Sequence, residues 1–386
     1  MGLRHRVTTL AVDATHVLVV QAPGAWRTRV AIEREIGRRG WRLASSAADA
    51  DAVAVAGTPG PGLSQRVEAV WEQLPGPRSR TVVADHTDPA AVRAALDAVA
   101  AELLDTETQS RDARDRPRFD PKSLDDDDDD DDESHMEGDD DMGDMDMGDM
   151  DMAMAPSGIP LAEGGDDRDS LEMDVLHLPL GPVLPYWPAG VVLHATLQGD
   201  VLIAAEANAV DADLLDSEQH TSVRPGPAER AALRCDQLAS LLALAGWADG
   251  QSAAVRVRDT LIDDPDGPDG SRLIDGLERR VRRARLLRWS LRGIGDLRRI
   301  DDPPTTSWAP RGDVYDRLLK LIDDARSDLA GTDRPELPWP ELLAVAERLV
   351  VGLDLATARL VVASLAIDTG SQPVHAGHDP EGFHGA

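Results

Sequence analysis

Seven of the nine methionines lie between Met136 and Met154, at Met136, Met142, Met145, Met147, Met150, Met152 and Met154, and His135 directly precedes them. Thioethers are soft ligands that select Cu(I), and the M-x-M and M-x-x-M spacings let one loop wrap such an ion. His135 and the interspersed aspartates offer harder donors, suited to Cu(II) or Ni(II). The tract therefore reads as a candidate copper or nickel buffering and delivery segment. The competing reading is a low-complexity Met-Gly-Asp-Met-Asp repeat, expanded without chemical selection. Eight consecutive aspartates at residues 125–132 suit a third role, covering a basic surface by charge alone.

Such a basic surface is present in the same chain. Between Arg272 and Arg299 ten arginines are set against Asp275, Glu278 and Asp296, a local charge of +7. Leu286, Leu287, Trp289 and Leu291 add an apolar side, the composition of a helix that meets an anionic membrane or nucleic acid. Only two lysines, Lys122 and Lys320, occur in the whole chain, which suggests Arg-rich usage and an ordinary surface helix. Docking to an acidic partner, or to the chain's own Asp run, is a further alternative. The acidic balance of the rest of the chain argues against a nucleic-acid partner.

Other chemistry-bearing groups are weaker. Gly57-Thr58-Pro59-Gly60-Pro61-Gly62 is not a G-x-G-x-x-G fingerprint, and its two prolines remove N–H donors that a phosphate cradle needs. Asp85 and His86 sit where a strand ends, a place that ligands favour, but no nucleophile stands beside them, and a turn before Pro89 explains them. His375, His378 and His384 with Asp379 and Glu381 have loosely ligand-like spacing in what reads as a solvated terminus. Cys235, the one cysteine, lies on a Leu-rich helix and reads as a small buried residue. A lone thiol excludes internal disulfides and clusters held by four thiolates.

The elements that must position these groups are legible from pattern and composition. The 386 residues suggest two or three domains. Aromatics are 3%, so the core must be Leu, Val and Ala. Of the net charge of −31, the stretch from Leu124 to Asp167 supplies 20 acidic residues and no Lys or Arg. Residues 1–104 alternate apolar strands (His16 to Gln21, Ala52 to Ala56, Arg80 to Ala84) with helices (Arg27 to Arg39, Leu63 to Leu74, Pro89 to Leu104). That order predicts an α/β, doubly wound, mainly parallel sheet. Residues 105–170 bury too little apolar area to offset ordering entropy and read as a disordered Asp/Met linker. Residues 171–370 read as an α+β domain, a hairpin (Val191 to Leu197, Val201 to Ala205) and a helical core: 228–245, 251–262, 271–291, 314–329 and 340–349. Residues 371–386 read as a flexible tail. The most apolar stretch, Leu349 to Ile367, carries Asp354 and Arg359, so no transmembrane segment is expected. The N-terminus lacks the apolar core of a secretory signal.

Asp49-Ala50-Asp51-Ala52-Val53-Ala54-Val55-Ala56-Gly57-Thr58 resembles the ADVLIVAGT strand of the small, cluster-carrying subunit shared by complex I and nickel–iron hydrogenases. Val70-Trp71-Glu72-Gln73-Leu74-Pro75-Gly76-Pro77-Arg78 is similar to that family's VYDQMPEPK/R segment. Gly181-Pro182-Val183-Leu184-Pro185, leading into the hairpin, resembles the G-P-x-H-P opening of the quinone-site large subunit, and Val361 to Asp368 is similar to its closing strand. The resemblance implies a fused pair of subunits with the chemistry removed. Ala25 and Trp26 stand in the loop where the small subunit has thiolates, Asp85-His86-Thr87 where it has Gly-Ser-Cys, and Leu184 where the large subunit has histidine.

The expectation is a non-catalytic accessory, scaffold or assembly protein related to NADH–quinone oxidoreductase (complex I) or hydrogenase subunits. It would have no iron–sulfur cluster, quinone site or other cofactor of its own. Its implied partner is a complex I or hydrogenase-type membrane oxidoreductase, without nucleic acid. Its implied location is cytoplasmic, peripheral on the inner face of the membrane. The alternatives are the copper or nickel protein above and an enzyme using an unrecognised pocket in the α/β part.

Overall fold

The computed structural model describes residues 14–84, 88–116, 163–166, 172–212, 225–299, 310–332, 335 and 337–370. The His135 to Met154 tract, Asp85-His86-Thr87 and the histidines after residue 370 lie outside the described residues.

The N-terminal lobe is a four-stranded parallel sheet: β1 (His16–Gln21), α1 (Trp26–Arg39), β2 (Arg42–Leu43), β3 (Ala52–Ala56), α2 (Pro61–Gln73), β4 (Ser79–Val83), α3 (Pro89–Leu104) and α4 (Thr106–Asp115). Strand order is β2-β1-β3-β4, all neighbours parallel. Alternation in β1 sends Val17 to one face, where Ile32 and Ile36 of α1 and Val92, Leu96 and Val99 of α3 cover it. It sends Leu18 and Val20 to the other, against Leu63, Val67 and Val70 of α2. Central β3 is buried at every residue, which is why it reads as an unbroken Ala/Val run rather than an alternating one. The two-residue β2 was not expected.

Order continues past Leu104, where the sequence reading ended the lobe. Asp105 caps α4 by accepting from the N–H groups of Glu107 and Thr108 at 3.0 and 3.2 Å. Gln109 exchanges hydrogen bonds with the backbone of Arg78, both at 2.9 Å, and Arg78 pairs with Asp112 at 2.9 Å. Composition averaged over 105–170 hid this local cap and its long-range partner.

The C-terminal lobe begins with an antiparallel sheet: β5 (Glu163–Asp166), β6 (Glu172–Leu180), β7 (Val191–Gln198) and β8 (Val201–Ala209), in that spatial order. β7 and β8 are the expected hairpin, turning at Gly199 with φ +62°; β5 and β6 were not foreseen. The helices α5 (Pro227–Leu244), α6 (Ala248–Asp263), α7 (Asp269–Arg283), α8 (Arg285–Leu291), α9 (Val314–Leu329), α10 (Trp339–Val350) and α11 (Leu355–Ser364) follow. α5 is the central helix, with Ala231, Ala232, Cys235, Leu238, Leu241 and Leu242 buried.

Two expectations about this lobe are corrected. The stretch from Ser271 to Leu291 is two helices, broken at Ala284, whose ψ of 84° is non-helical. In a continuous helix Leu287 would point away from the face that buries Ile274, Leu277 and Val281; after the break Leu287 and Leu291 are both buried. The stretch from Val361 to Asp368, expected as a closing strand, is the end of α11 and the turn after it. Asp354 caps that helix, accepting from Thr357 N–H at 2.9 Å. A short apolar run does not distinguish strand from buried helix, and here the cap decides.

α1 joins the lobes because it has two adjoining apolar faces. Ile32 and Ile36 belong to the sheet's core, whereas Trp26 and Val30 belong to the core of the C-terminal lobe.

Candidate functional site

A cleft of about 420 Å³ lies between the lobes. Leu18 of β1, Trp26 of α1, Leu184 and Trp187 of the loop before β7, Val255 of α6 and Ile367 beyond α11 make it largely apolar. The 181–190 loop is held rigidly. Trp187 Nε1 donates to Val191 O at 2.8 Å, and Arg359 Nη2 donates to Pro185 O at 2.8 Å. Gly181, at φ +87°, must be glycine: a Cβ there would lie 2.3 Å from Trp187 Nε1 and 2.5 Å from Val191 O.

A ring of four charges closes one wall of the cleft. Arg29 and Glu33 are one turn apart on α1; Asp236 comes from α5 and Arg258 from α6. Each arginine bridges both carboxylates. Arg29 pairs with Glu33 and Asp236, while Arg258 Nη1 donates to Asp236 at 2.8 Å and to Glu33 at 3.1 Å. Arg29 Nε also donates to Gln21 at 2.6 Å and Arg258 Nε to Asp259 at 3.0 Å. Asp236 is 6% exposed and Arg258 3%, so either charge alone would be strongly destabilising there. Burial acts to lower the pKa of both arginines, but Asp236 and Glu33 outweigh it and raise both. The ring is neutral overall, and it fastens α1 of one lobe to α5 and α6 of the other. Arg34–Asp263 and, at 3.7 Å, Arg27–Glu229 flank it.

A second junction lies at the start of α2. Asp211, just past β8, reaches across with both oxygens, accepting from Gly62 N–H at 2.7 Å and Leu63 N–H at 3.0 Å. The chain's own carboxylate therefore occupies the helix N-terminus that a phosphate would take. The approach is close: a Cβ on Gly60 would lie 2.4 Å from the Asp211 carboxyl carbon.

The first loop, which the resemblance equates with a cluster-binding loop, is packed by its own chain. A Cβ on Gly57 would lie 2.4 Å from Ala25 Cβ, one on Gly190 2.9 Å from Pro23, and one on Gly370 2.3 Å from Gly24 Cα. With no thiolate among Ala22, Pro23, Gly24 and Ala25, these residues do not fit an iron–sulfur cluster. Leu184, which the resemblance equates with a histidine, lines the cleft and its side chain offers a ligand no hydrogen bond.

No known protein family, curated protein or solved structure matches this chain.

The residues singled out from sequence fall in different places. His135, Met136, Met142, Met145, Met147, Met150, Met152 and Met154 lie outside the described residues, as do Asp85 and His86. Among the described residues no group of three or more His, Cys, Asp or Glu is placed to hold a metal ion. Cys235 is fully buried, and burial followed by the neighbouring Asp236 carboxylate pushes its thiol up to about 12. At neutral pH it is a protonated core residue. The Arg-rich stretch forms the exposed side of α7 and α8.

Sequence reasoning missed Asp211 and the four-charge ring. Arg29 and Glu33 at i,i+4 were visible as a helical pair. Asp236, next to Cys235 on a Leu-rich helix, was a signal that a buried charge needed a partner.

Proposed function

We propose that this chain is a non-catalytic accessory, scaffold or assembly protein, related to fused and degenerate small and large subunits of a complex I or hydrogenase-type oxidoreductase. The observation that carries the reading is the interlobe ring. The ionisable groups Arg29, Glu33, Asp236 and Arg258 on the cleft wall are hydrogen-bonded to one another. Their hydrogen-bonding groups are taken up by one another across the lobes rather than left free toward the cleft. Such a network holds the two lobes in fixed relation, which is what a docking subunit requires. The tightly packed first loop and Leu184 are consistent with shape kept and electron-transfer chemistry lost.

In this reading the protein works in the cytoplasm, peripheral on the inner face of a membrane, against a complex I or hydrogenase-type complex. No helix among the described residues is long and apolar enough to cross a membrane, so attachment would be through the partner or the surface. The test is affinity purification of the tagged protein from gently solubilised membranes of its native host. Recovery of an NADH–quinone or hydrogenase-type complex at fixed stoichiometry is expected; recovery of none, with the protein entirely in the soluble fraction, refutes the reading. The alternative, copper or nickel buffering by His135 and the methionines from Met136 to Met154, is carried by the sequence pattern alone.

A further inference from the structure

The helices α7 and α8 present a basic surface with few carboxylate partners among the described residues. On α7, Arg279, Arg280, Arg282 and Arg283 are exposed; Arg279 and Arg283 lie opposite the face that buries Ile274, Leu277 and Val281, and Arg280 and Arg282 flank it. After the break at Ala284, α8 buries Leu287 and Leu291 and turns Arg285, Arg288, Trp289 and Arg292 outward on its opposite side. Arg282 pairs with Glu278 at 2.6 Å and Arg292 lies over the Tyr315 ring at 5.7 Å. Arg279, Arg280, Arg283, Arg285 and Arg288 have no carboxylate partner among the described residues.

Two large apolar side chains stand among these cations, Leu286 at 75% exposed and Trp289 at 79%. A basic patch alone would suit any polyanion. An exposed tryptophan and leucine flanked by unpaired arginines suit one that also has an apolar layer just beneath its charge. In a bilayer, guanidinium groups meet lipid phosphates while an indole sits at the headgroup level and a leucine reaches the acyl boundary. The chain's own acidic run at 125–132 could satisfy the arginines but would leave both apolar side chains in water. We propose that the α7–α8 surface is a membrane-docking face for anionic phospholipid, with Trp289 and Leu286 inserted and Arg279, Arg280, Arg283, Arg285 and Arg288 on the phosphates.

The overall charge of −31 does not forbid this, because at physiological salt charges beyond about 8 Å are largely screened and the lipid meets the local patch. The inference rests on this surface and not on the partner complex proposed above, and it is read on the purified chain alone.

The test is co-sedimentation of the full chain with vesicles of phosphatidylcholine containing about one third phosphatidylglycerol, against vesicles of phosphatidylcholine alone. Binding to the anionic vesicles only, weakening with salt, is expected. Each Arg→Gln change at Arg279, Arg280 or Arg283 should lower the partition coefficient about fivefold. Leu286→Ser with Trp289→Ser should abolish binding while leaving the circular dichroism spectrum unchanged, since both side chains are exposed. Brominated lipid should quench part of the tryptophan emission, and Trp289→Phe should remove that quenching while keeping the binding. Equal binding to neutral vesicles, no binding, or binding that survives the Leu286/Trp289 double change would each overturn the proposal. So would binding that appears only after deletion of residues 125–132, which would assign the patch to the chain's own acidic run.

Discussion

Asp236→Asn is the most informative single change, because Asn keeps the shape and one acceptor while it removes the charge and turns the second accepting oxygen into a donor. Asp236 is 6% exposed and holds both Arg29 and Arg258. Without its charge the ring goes from neutral to one net positive charge. Arg258, 3% exposed, is then left with Glu33 and the more exposed Asp259. Each charge contact at about 4 Å is worth roughly 4 kcal/mol gross at an effective dielectric near 20. The net loss on breaking a buried pair is about 3–5 kcal/mol, and the retained amide acceptor places this variant near 3. Glu33→Gln should lose less, about 1–2 kcal/mol, because its side chain is 18% exposed and water can reach it. Adding Arg258→Met to Asp236→Asn removes one charge of each sign and leaves Arg29 paired with Glu33. The double variant should therefore be more stable than the sum of the two single losses predicts, with a coupling energy of at least about 2 kcal/mol. Denaturant unfolding of the wild type and four variants (Asp236→Asn, Glu33→Gln, Arg258→Met and the double change), with hydrogen exchange of α1 as the local readout, measures all of this. A loss below about 1 kcal/mol for Asp236→Asn, or an additive cycle, would refute the claim that the ring clamps the lobes.

Asp211→Ala should lose about 1–2 kcal/mol by uncapping α2, with Asp211→Asn milder because it keeps an acceptor. Gly60→Ala should be destabilised as well, through the 2.4 Å approach of the Asp211 carboxyl group; wild-type melting temperatures in both alanine variants would contradict the assignment. Docking of α4 should be acid-sensitive. Burial pushes the Asp112 carboxyl up, but hydrogen bonds from Arg78 and Arg116 outweigh this and hold it below the usual carboxylate range. Its stabilisation is thus present in full above the ordinary aspartate pKa and is lost as pH falls through the depressed one. Protection factors in α4, corrected for intrinsic exchange, should fall over that acidic window in the wild type and fall less in Asp112→Asn, where only the Asp105 cap, itself held low by Thr108 and Glu107, still titrates; identical profiles would count against the pairing. Cys235, buried and with its thiol raised to about 12, should resist alkylation at neutral pH until the protein is unfolded. Rapid labelling of the native protein, followed by mass spectrometry, would show that the helix core opens readily.

Much of the architecture was legible because its causes are local. The Val/Ala run of β3, the turn at Gly199 and the apolar spacing of α5 and α9 each state their element within a few residues. The break at Ala284 and the identity of α11 were not legible. Leu287, Leu291, Val361 and Val362 are apolar in any register, and only the neighbouring helices determine which way they must face. The arginine excess of residues 272–299 was visible in the sequence, but not the exposure of Trp289 and Leu286 within it, because an apolar residue beside a charge reads equally as core. The interlobe ring lay furthest beyond reach. Arg29 and Glu33 are separated from Asp236 and Arg258 by some two hundred residues, and ion pairing between exposed arginines and carboxylates is too weak and too common to select partners. Burial makes these four groups depend on one another, and burial is a property of the packed lobes rather than of any segment. The sequence by itself determined β1, β3 and β4 of the parallel sheet, the β7–β8 hairpin and the positions of the long helices. The tertiary structure decided which charges are desolvated together, and so which residues hold the lobes around the cleft.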